Sequence, residues 1–235
     1  MSSTYNRLKE MILTVAQALG EDLLHEVAFV GGCTTGLLLT DDFSKEAVRY
    51  TDDVDLIINV VGYPRWARFQ ERLRARGFRD EMNEEVNCRM RLGELKVDFM
   101  PDDETILGYS NRWYAAGFAS AQPYPLTENL TIRLLTPVYF IATKLEAYLG
   151  RGNNDPQGSH DMEDILNLFD GREEVVREIA LADREVRDYI AGQLGLLLVN
   201  DDFSYAVQST ARGDRDRKSL IYDRLEAASD LAGAA

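Results

Sequence analysis

The stretch RYTDDVDLII, residues 49–58, decides the fold. In an extended backbone Val54, Leu56 and Ile58 point one way and Asp53 and Asp55 the other. The run Val54–Val61 is β-branched and apolar on both faces, which predicts a central strand covered from both sides. Such a strand opens on two carboxylates that face the same way. Like charges at that spacing repel, and unless a cation lies between them one takes up a proton. Hard oxygen ligands sharing a small space suit magnesium, with manganese as the alternative. A third carboxylate is available in LKVDFMP, residues 95–101. There Leu95, Val97 and Phe99 alternate with Lys96 and Asp98, so Asp98 stands on the polar face of a second strand. Asp53, Asp55 and Asp98 are therefore the candidate metal ligands. Three carboxylates of this kind are the equipment of two-metal phosphoryl transfer.

Upstream, the apolar run Val27–Val30 ends in Gly31-Gly32, which predicts a buried strand entering a tight turn. Glycines let a backbone approach a phosphate closely, and the N–H groups opening a helix from Thr34 to Leu39 would face its oxygens. Residues 4–19 carry Leu8, Met11, Ile12, Val15, Ala16 and Leu19 at helical spacing, with Gly20 as the stop. Pro64 opens a helix that Gly77 closes. Val86–Arg91 and Glu94–Met100 flank Leu92-Gly93 as a hairpin. The prolines of Gln122–Pro125 mark a boundary, with a further strand at Leu130–Leu135. From Thr136-Pro137, a hydroxyl N-cap followed by proline at the first helical position, the pattern is helical to the end. The expected fold is α+β: a mixed-sheet domain over 1–126, then a helical domain over 136–235.

Composition narrows the class. The chain has 235 residues, 45% hydrophobic and 28% charged, ample for a buried core. No apolar run approaches the roughly 18–20 residues of a bilayer span, and the polar start MSSTYNRLKE has no signal-peptide core. Cys33 and Cys88 lack CxxC spacing, which fits a reducing cytoplasm and excludes a disulfide scaffold. The expectation is a cytoplasmic protein without a membrane partner. A formal charge of −14 argues against a coat of phosphate-binding surface. The exception is Gly62–Arg79, where Arg65, Arg68, Arg72 and Arg76 step by 3, 4 and 4 and form one helical stripe. Read blandly it is a solvated helix face; read sharply it is a docking patch for a polyanion.

Taken together, FVGG at 29–32, RxTxDxDh ending in LII, and the later hDh resemble the polymerase-β-type nucleotidyltransferase superfamily. Its signature is hG[GS], a spacer, Dh[DE]h and a later carboxylate. Here the spacer from Gly32 to Asp53 is long enough for an inserted loop at Thr40–Ala47, and Cys33 stands where serine is common. The phosphate-facing hydroxyl then falls to Thr34 or Thr35. TPVYFIATKLEAYLGRG followed by SHDMEDILNL is similar to the AbiEii-like toxin branch, where a lysine and then an aspartate complete the active site. By position these are Lys144 and Asp161, with Asp164 one turn on and sharing its helix face. Read from the pattern alone, Lys144 is a shielded or snorkelling lysine among Ile141, Leu145 and Tyr148, and Asp164 is free to pair with Arg151 or to solvate the helix. Arg49 and Thr51 match the branch's RxT element.

The resemblance implies a magnesium-dependent nucleotidyltransferase. Gly31, Gly32, Thr34, Arg49, Thr51 and Lys144 would bind the NTP, Asp53, Asp55 and Asp98 the metal, and Lys144 and Asp161 would join the carboxylates in catalysis. It further implies a toxin of a bacterial toxin–antitoxin or phage-defence pair, with tRNA or a protein hydroxyl as acceptor and a cognate antitoxin as partner. Two rivals stand beside it. An antibiotic-type enzyme acting on a small cationic acceptor suits the acidic balance, whereas the arginine stripe suits RNA. A catalytically silent nucleotide- or partner-binding module is the other.

Overall fold

The computed structural model describes residues 3–81, 88–151 and 154–233. Its strands are β1 Val27–Val30, β2 Asp53–Ile58, β3 Arg79–Asp80, β4 Arg89–Leu92, β5 Leu95–Pro101, β6 Gln122–Thr127 and β7 Leu130–Leu134. They form one mixed sheet in the order β3-β4-β5-β2-β1-β7-β6. The chain divides into two compact units. One takes the chain up to Thr34 and Arg49–Thr136; the other takes Thr35–Val48 and everything from Pro137. Among the described residues no helix is long and apolar enough to cross a membrane.

In the sheet unit β2 is central, as its two-faced apolar run requires. It runs antiparallel to β1 and parallel to β5. Val54, Leu56, Ile57 and Ile58 are buried. Helix Tyr63–Ala75 carries Pro64 in its first turn and buries Trp66, Phe69 and Leu73. Phe69 and Phe78 meet Phe99 of β5 edge to face, with centroids 5.9 and 5.4 Å apart. Both tryptophans, Trp66 and Trp113, are core residues. Helix Thr4–Leu24 buries the six positions read from its periodicity, and Gly20 breaks it at φ 67° before one last turn resumes. The prolines at 123 and 125 lie in β6 at the rim of the sheet, where a missing N–H costs no ladder bond. The first unit accordingly continues through β7 to Thr136. The hairpin read at Val86–Arg91 is observed from Arg89 onward; residues 86 and 87 lie outside the described ones.

In the helical unit, helix His160–Gly171 is the axis. Almost all of its residues are buried, and Pro137–Arg151, Phe203–Thr210 and Arg215–Ser229 pack around it. The long spacer of the sequence belongs here. Its segment 40–47 is no open loop but holds a short helix, Asp42–Glu46, capped by Asp41 and bound to the axis helix. The N–H groups of Thr40 and Asp41 both donate to the Gly171 carbonyl at 2.9 Å. Arg217 bridges Asp170, Asp41 and Ser44. A Cβ on Gly171 would meet the Ser44 side chain at 2.5 Å, so only glycine allows this docking.

Candidate functional site

The sheet register builds the acidic cluster. In the parallel pairing of β2 with β5, Asp55 lies directly opposite Asp98, and in the antiparallel pairing with β1 it lies opposite Val30. Asp53, Asp55 and Asp98 each offer an oxygen, and these oxygens all lie within 4.8 Å of one another. Asp98 is 9% exposed. Immediately after Val30, Gly31 takes φ 80°, and a Cβ there would stand 1.8 Å from Asp55 Oδ2. The first glycine thus has two reasons to be glycine: its backbone is left-handed, and the carboxylate of Asp55 occupies the space of a side chain.

The turn that follows is tight. Gly32–Thr34 forms one 3₁₀ turn, and the Thr34 hydroxyl, fully buried, donates to the Gly31 carbonyl at 2.8 Å. Cys33 Sγ contacts the Val30 carbonyl at 3.5 Å. On the approach to β2, Thr51 donates its hydroxyl to Asp53 Oδ1, while Arg49 is half-buried. Lys96 binds Asp52 at 2.9 Å, and that hydrogen bond holds the Asp52 carboxyl below the usual range.

One member of this site escaped the motif reading. Arg89, on β4, lies opposite Asp98 in the β4–β5 ladder. Its Nε and Nη2 donate to the two oxygens of Asp98 at 2.7 and 2.8 Å, and Nη2 is 3.7 Å from Asp53 Oδ2. Arg89 brings a positive charge to two of the three carboxylates, Asp98 and Asp53. The signal was present in the hairpin: with Leu92 paired to Leu95, counting back puts Arg91 on Lys96 and Arg89 on Asp98. Next to it, burial and then the charge of Asp98 push the Cys88 thiol up to about 11. Near neutral pH, with no cation bound, it is protonated.

The helical unit carries the second cluster. Lys144 Nζ binds Asp161 Oδ1 at 3.0 Å and Asp164 Oδ2 at 2.8 Å. Arg151, two turns beyond Lys144 on the same helix, forks onto Asp161 with both hydrogen bonds at 2.9 Å. Lys144 is 7% exposed, Asp161 4% and Asp164 0%. Lys144 is therefore no snorkelling surface residue. Asp164 does not solvate its helix, and Arg151 binds Asp161 in its place. Burial raises the Asp161 pKa, but the Arg151 hydrogen bond and the Lys144 charge outweigh it, and the net direction is down.

The arginine stripe is already partly paired. Arg72 meets Glu26 at 2.6 Å and Asp22 at 3.4 Å. Arg76 also binds Asp22 and lies against Gly20, where a Cβ would stand 2.1 Å from its Nη1. Arg68 donates to the Pro64 carbonyl at 3.2 Å. Arg65 is exposed, and among the described residues it has no carboxylate partner.

The donor set fits a divalent cation: three carboxylates whose oxygens converge, and a glycine that leaves room for Asp55. Asp53, Asp55 and Asp98 would hold it. No protein-family model and no curated protein matches this chain.

Proposed function

We propose that the chain is a magnesium- or manganese-dependent nucleotidyltransferase that moves NMP from an NTP to an acceptor hydroxyl and releases pyrophosphate. The observation that carries this reading is the convergence of Asp53, Asp55 and Asp98 beneath a glycine that tolerates no side chain. When bound, the cation supplies positive charge to phosphate oxygens. The chain's own residues do the rest. The Gly31-Gly32 turn offers backbone to the triphosphate, and Arg49 offers a fork for one phosphate. Asp98 takes the proton of the acceptor hydroxyl as its oxygen bonds to the α-phosphorus and the bond to pyrophosphate breaks. The resemblance gives Lys144 and Asp161 a part in catalysis. The resemblance also supplies the biological reading: a toxin acting on tRNA or a protein, paired with an antitoxin.

One observation favours a second acceptor class. Arg72 and Arg76, half of the stripe expected to guide RNA, are already paired with Asp22 and Glu26. A small cationic acceptor needs no such stripe, and the acidic balance suits it.

Incubation with each α-labelled NTP, Mg²⁺ and total RNA tests the proposal. Label is expected on an acceptor with wild type and absent with Asp53→Ala or Asp55→Ala, both folded by circular dichroism. Wild-type transfer by either variant refutes the metal assignment. Nucleotide binding without transfer to RNA, to protein or to a small hydroxyl leaves the silent module as the correct reading.

A further inference from the structure

A carboxylate trio with a guanidinium already seated on it is different from an empty one. Asp98 gives both its oxygens to Arg89, at 2.7 and 2.8 Å, and Asp53 is 3.7 Å from the same guanidinium. The seat is built by the fold. Arg89 stands opposite Asp98 because the two-residue turn at Gly93 fixes the ladder, and its neighbours Cys88 and Met90 are buried, which anchors the strand on both sides. Arg91 and Lys96, the other cations of this hairpin, are directed to Glu81 and Asp52. A divalent cation entering the trio meets a positive charge on two of its three ligands. It binds weakly beside the guanidinium, or it binds well only after displacing it.

We propose that Arg89 is the resident counterion of this site, which the incoming divalent cation must displace, so that Arg89 sets the metal concentration at which the trio fills. The proposal rests on reading Asp53, Asp55 and Asp98 as metal ligands. It makes Arg89 a positioning residue with two effects: it keeps three crowded carboxylates folded in the absence of metal, and it weakens metal binding. Those effects have opposite signs, which separates them from an ordinary structural ion pair.

Mn²⁺ alone, titrated into the full-length protein and followed by the electron paramagnetic resonance of the free ion, reads the affinity directly. Arg89→Gln is expected to bind Mn²⁺ about tenfold more tightly or better, in line with losing at least one charge-assisted hydrogen bond that competes with the metal. Its thermal midpoint without metal should fall, and Mn²⁺ should raise that midpoint by more than it does for wild type. Arg89→Lys keeps the charge and loses the fork, so its affinity is expected between the two. It also carries the test if Arg89→Gln does not fold. Asp55→Asn should lose binding. Equal or weaker Mn²⁺ binding by both Arg89 variants, with Asp55→Asn still defective, overturns the counterion proposal and leaves the metal site standing. Mn²⁺ bound by Asp55→Asn as well as by wild type, or by no protein in the series, overturns the metal site and the proposal together.

Discussion

Gly31→Ala tests the geometry of the site most directly, because two independent costs can be read from one residue. The first is conformational. At φ 80° an alanine Cβ crowds the backbone, a cost of about 1–2 kcal/mol. The second is steric. The new Cβ would stand 1.8 Å from Asp55 Oδ2, 2.6 Å from its Cγ and 2.7 Å from its Cβ. Rotating the Asp55 side chain relieves the first two clashes. The third remains, so β1 and β2 must also shift apart, and overpacking of this kind costs about 1–3 kcal/mol. The expected loss is therefore about 2–5 kcal/mol by urea unfolding, together with loss of Mn²⁺ binding as Asp55 is driven off the trio. Gly77 supplies the control. It has φ 93°, and a Cβ there would meet nothing within 4 Å, so Gly77→Ala should lose only the conformational part and keep its metal. Adding Asp55→Ala to Gly31→Ala should restore part of the steric cost and none of the conformational one, a coupling of at least about 0.5 kcal/mol. Were Gly31→Ala within about 0.5 kcal/mol of wild type and undiminished in Mn²⁺ binding, the close approach of Gly31 to Asp55 would be wrong, and with it the architecture of the site.

Lys144→Ala removes the cation from two buried carboxylates and should cost roughly 3–5 kcal/mol in urea unfolding while transfer falls by orders of magnitude; unchanged stability would mean that Lys144 does not hold the cluster. Asp161 has a lowered pKa in the folded chain, so its contribution is complete above its unfolded value of about 3.9 and is lost as the pH falls through the lower, folded value. Asp161→Asn should flatten that acid limb of the stability profile, and an unaltered limb would assign it to other carboxylates. For the arginine stripe, RNA affinity measured against salt should give a slope that Arg65→Gln with Arg68→Gln makes shallower by about 0.7 for each phosphate no longer neutralised. Arg72→Gln with Arg76→Gln should instead loosen the packing of their helix on Asp22 and Glu26. A salt-independent acceptor interaction removes the polyanion reading.

The sheet was legible where one residue's neighbours in sequence are also its neighbours in the fold. Asp53–Ile58 declares a strand by its β-branched run, and the alternation of Leu95–Phe99 shows which side of β5 is polar. The stop at Gly20 and the starts at Pro64 and Pro137 follow from backbone geometry alone. The segment 40–47 was illegible for the opposite reason. It has too few apolar residues to announce a helix, and what holds Asp42–Glu46 is a set of long-range bonds, Arg217 to Asp41, Ser44 and Asp170, between residues far apart in the chain. Hydropathy likewise scores Lys144, Asp161 and Asp164 as polar, although their mutual neutralisation is what allows the axis helix to bury them.

Periodicity assigns a charge to a face but does not say what waits opposite that face. This chain sharpens the point, because its 40 acidic residues outnumber its 26 basic ones and cations are the scarce partner. Arg72, Arg76, Arg89, Arg151 and Arg217 all meet carboxylates carried on other elements. Pairing is thus the ordinary fate of an arginine here, and a conspicuous stripe of them is weak evidence of a polyanion site until its partners are known. Two arginines carry more information than that pattern. Arg89 is one, since it pairs with carboxylates that a metal would also claim. Arg65 is another: it is exposed in a chain with acid to spare, and among the described residues no carboxylate engages it. If an anionic acceptor docks on this face, Arg65 is the charge it can reach without first breaking an existing ion pair, and that is why the Arg65 and Arg68 pair, not Arg72 and Arg76, should govern the salt dependence.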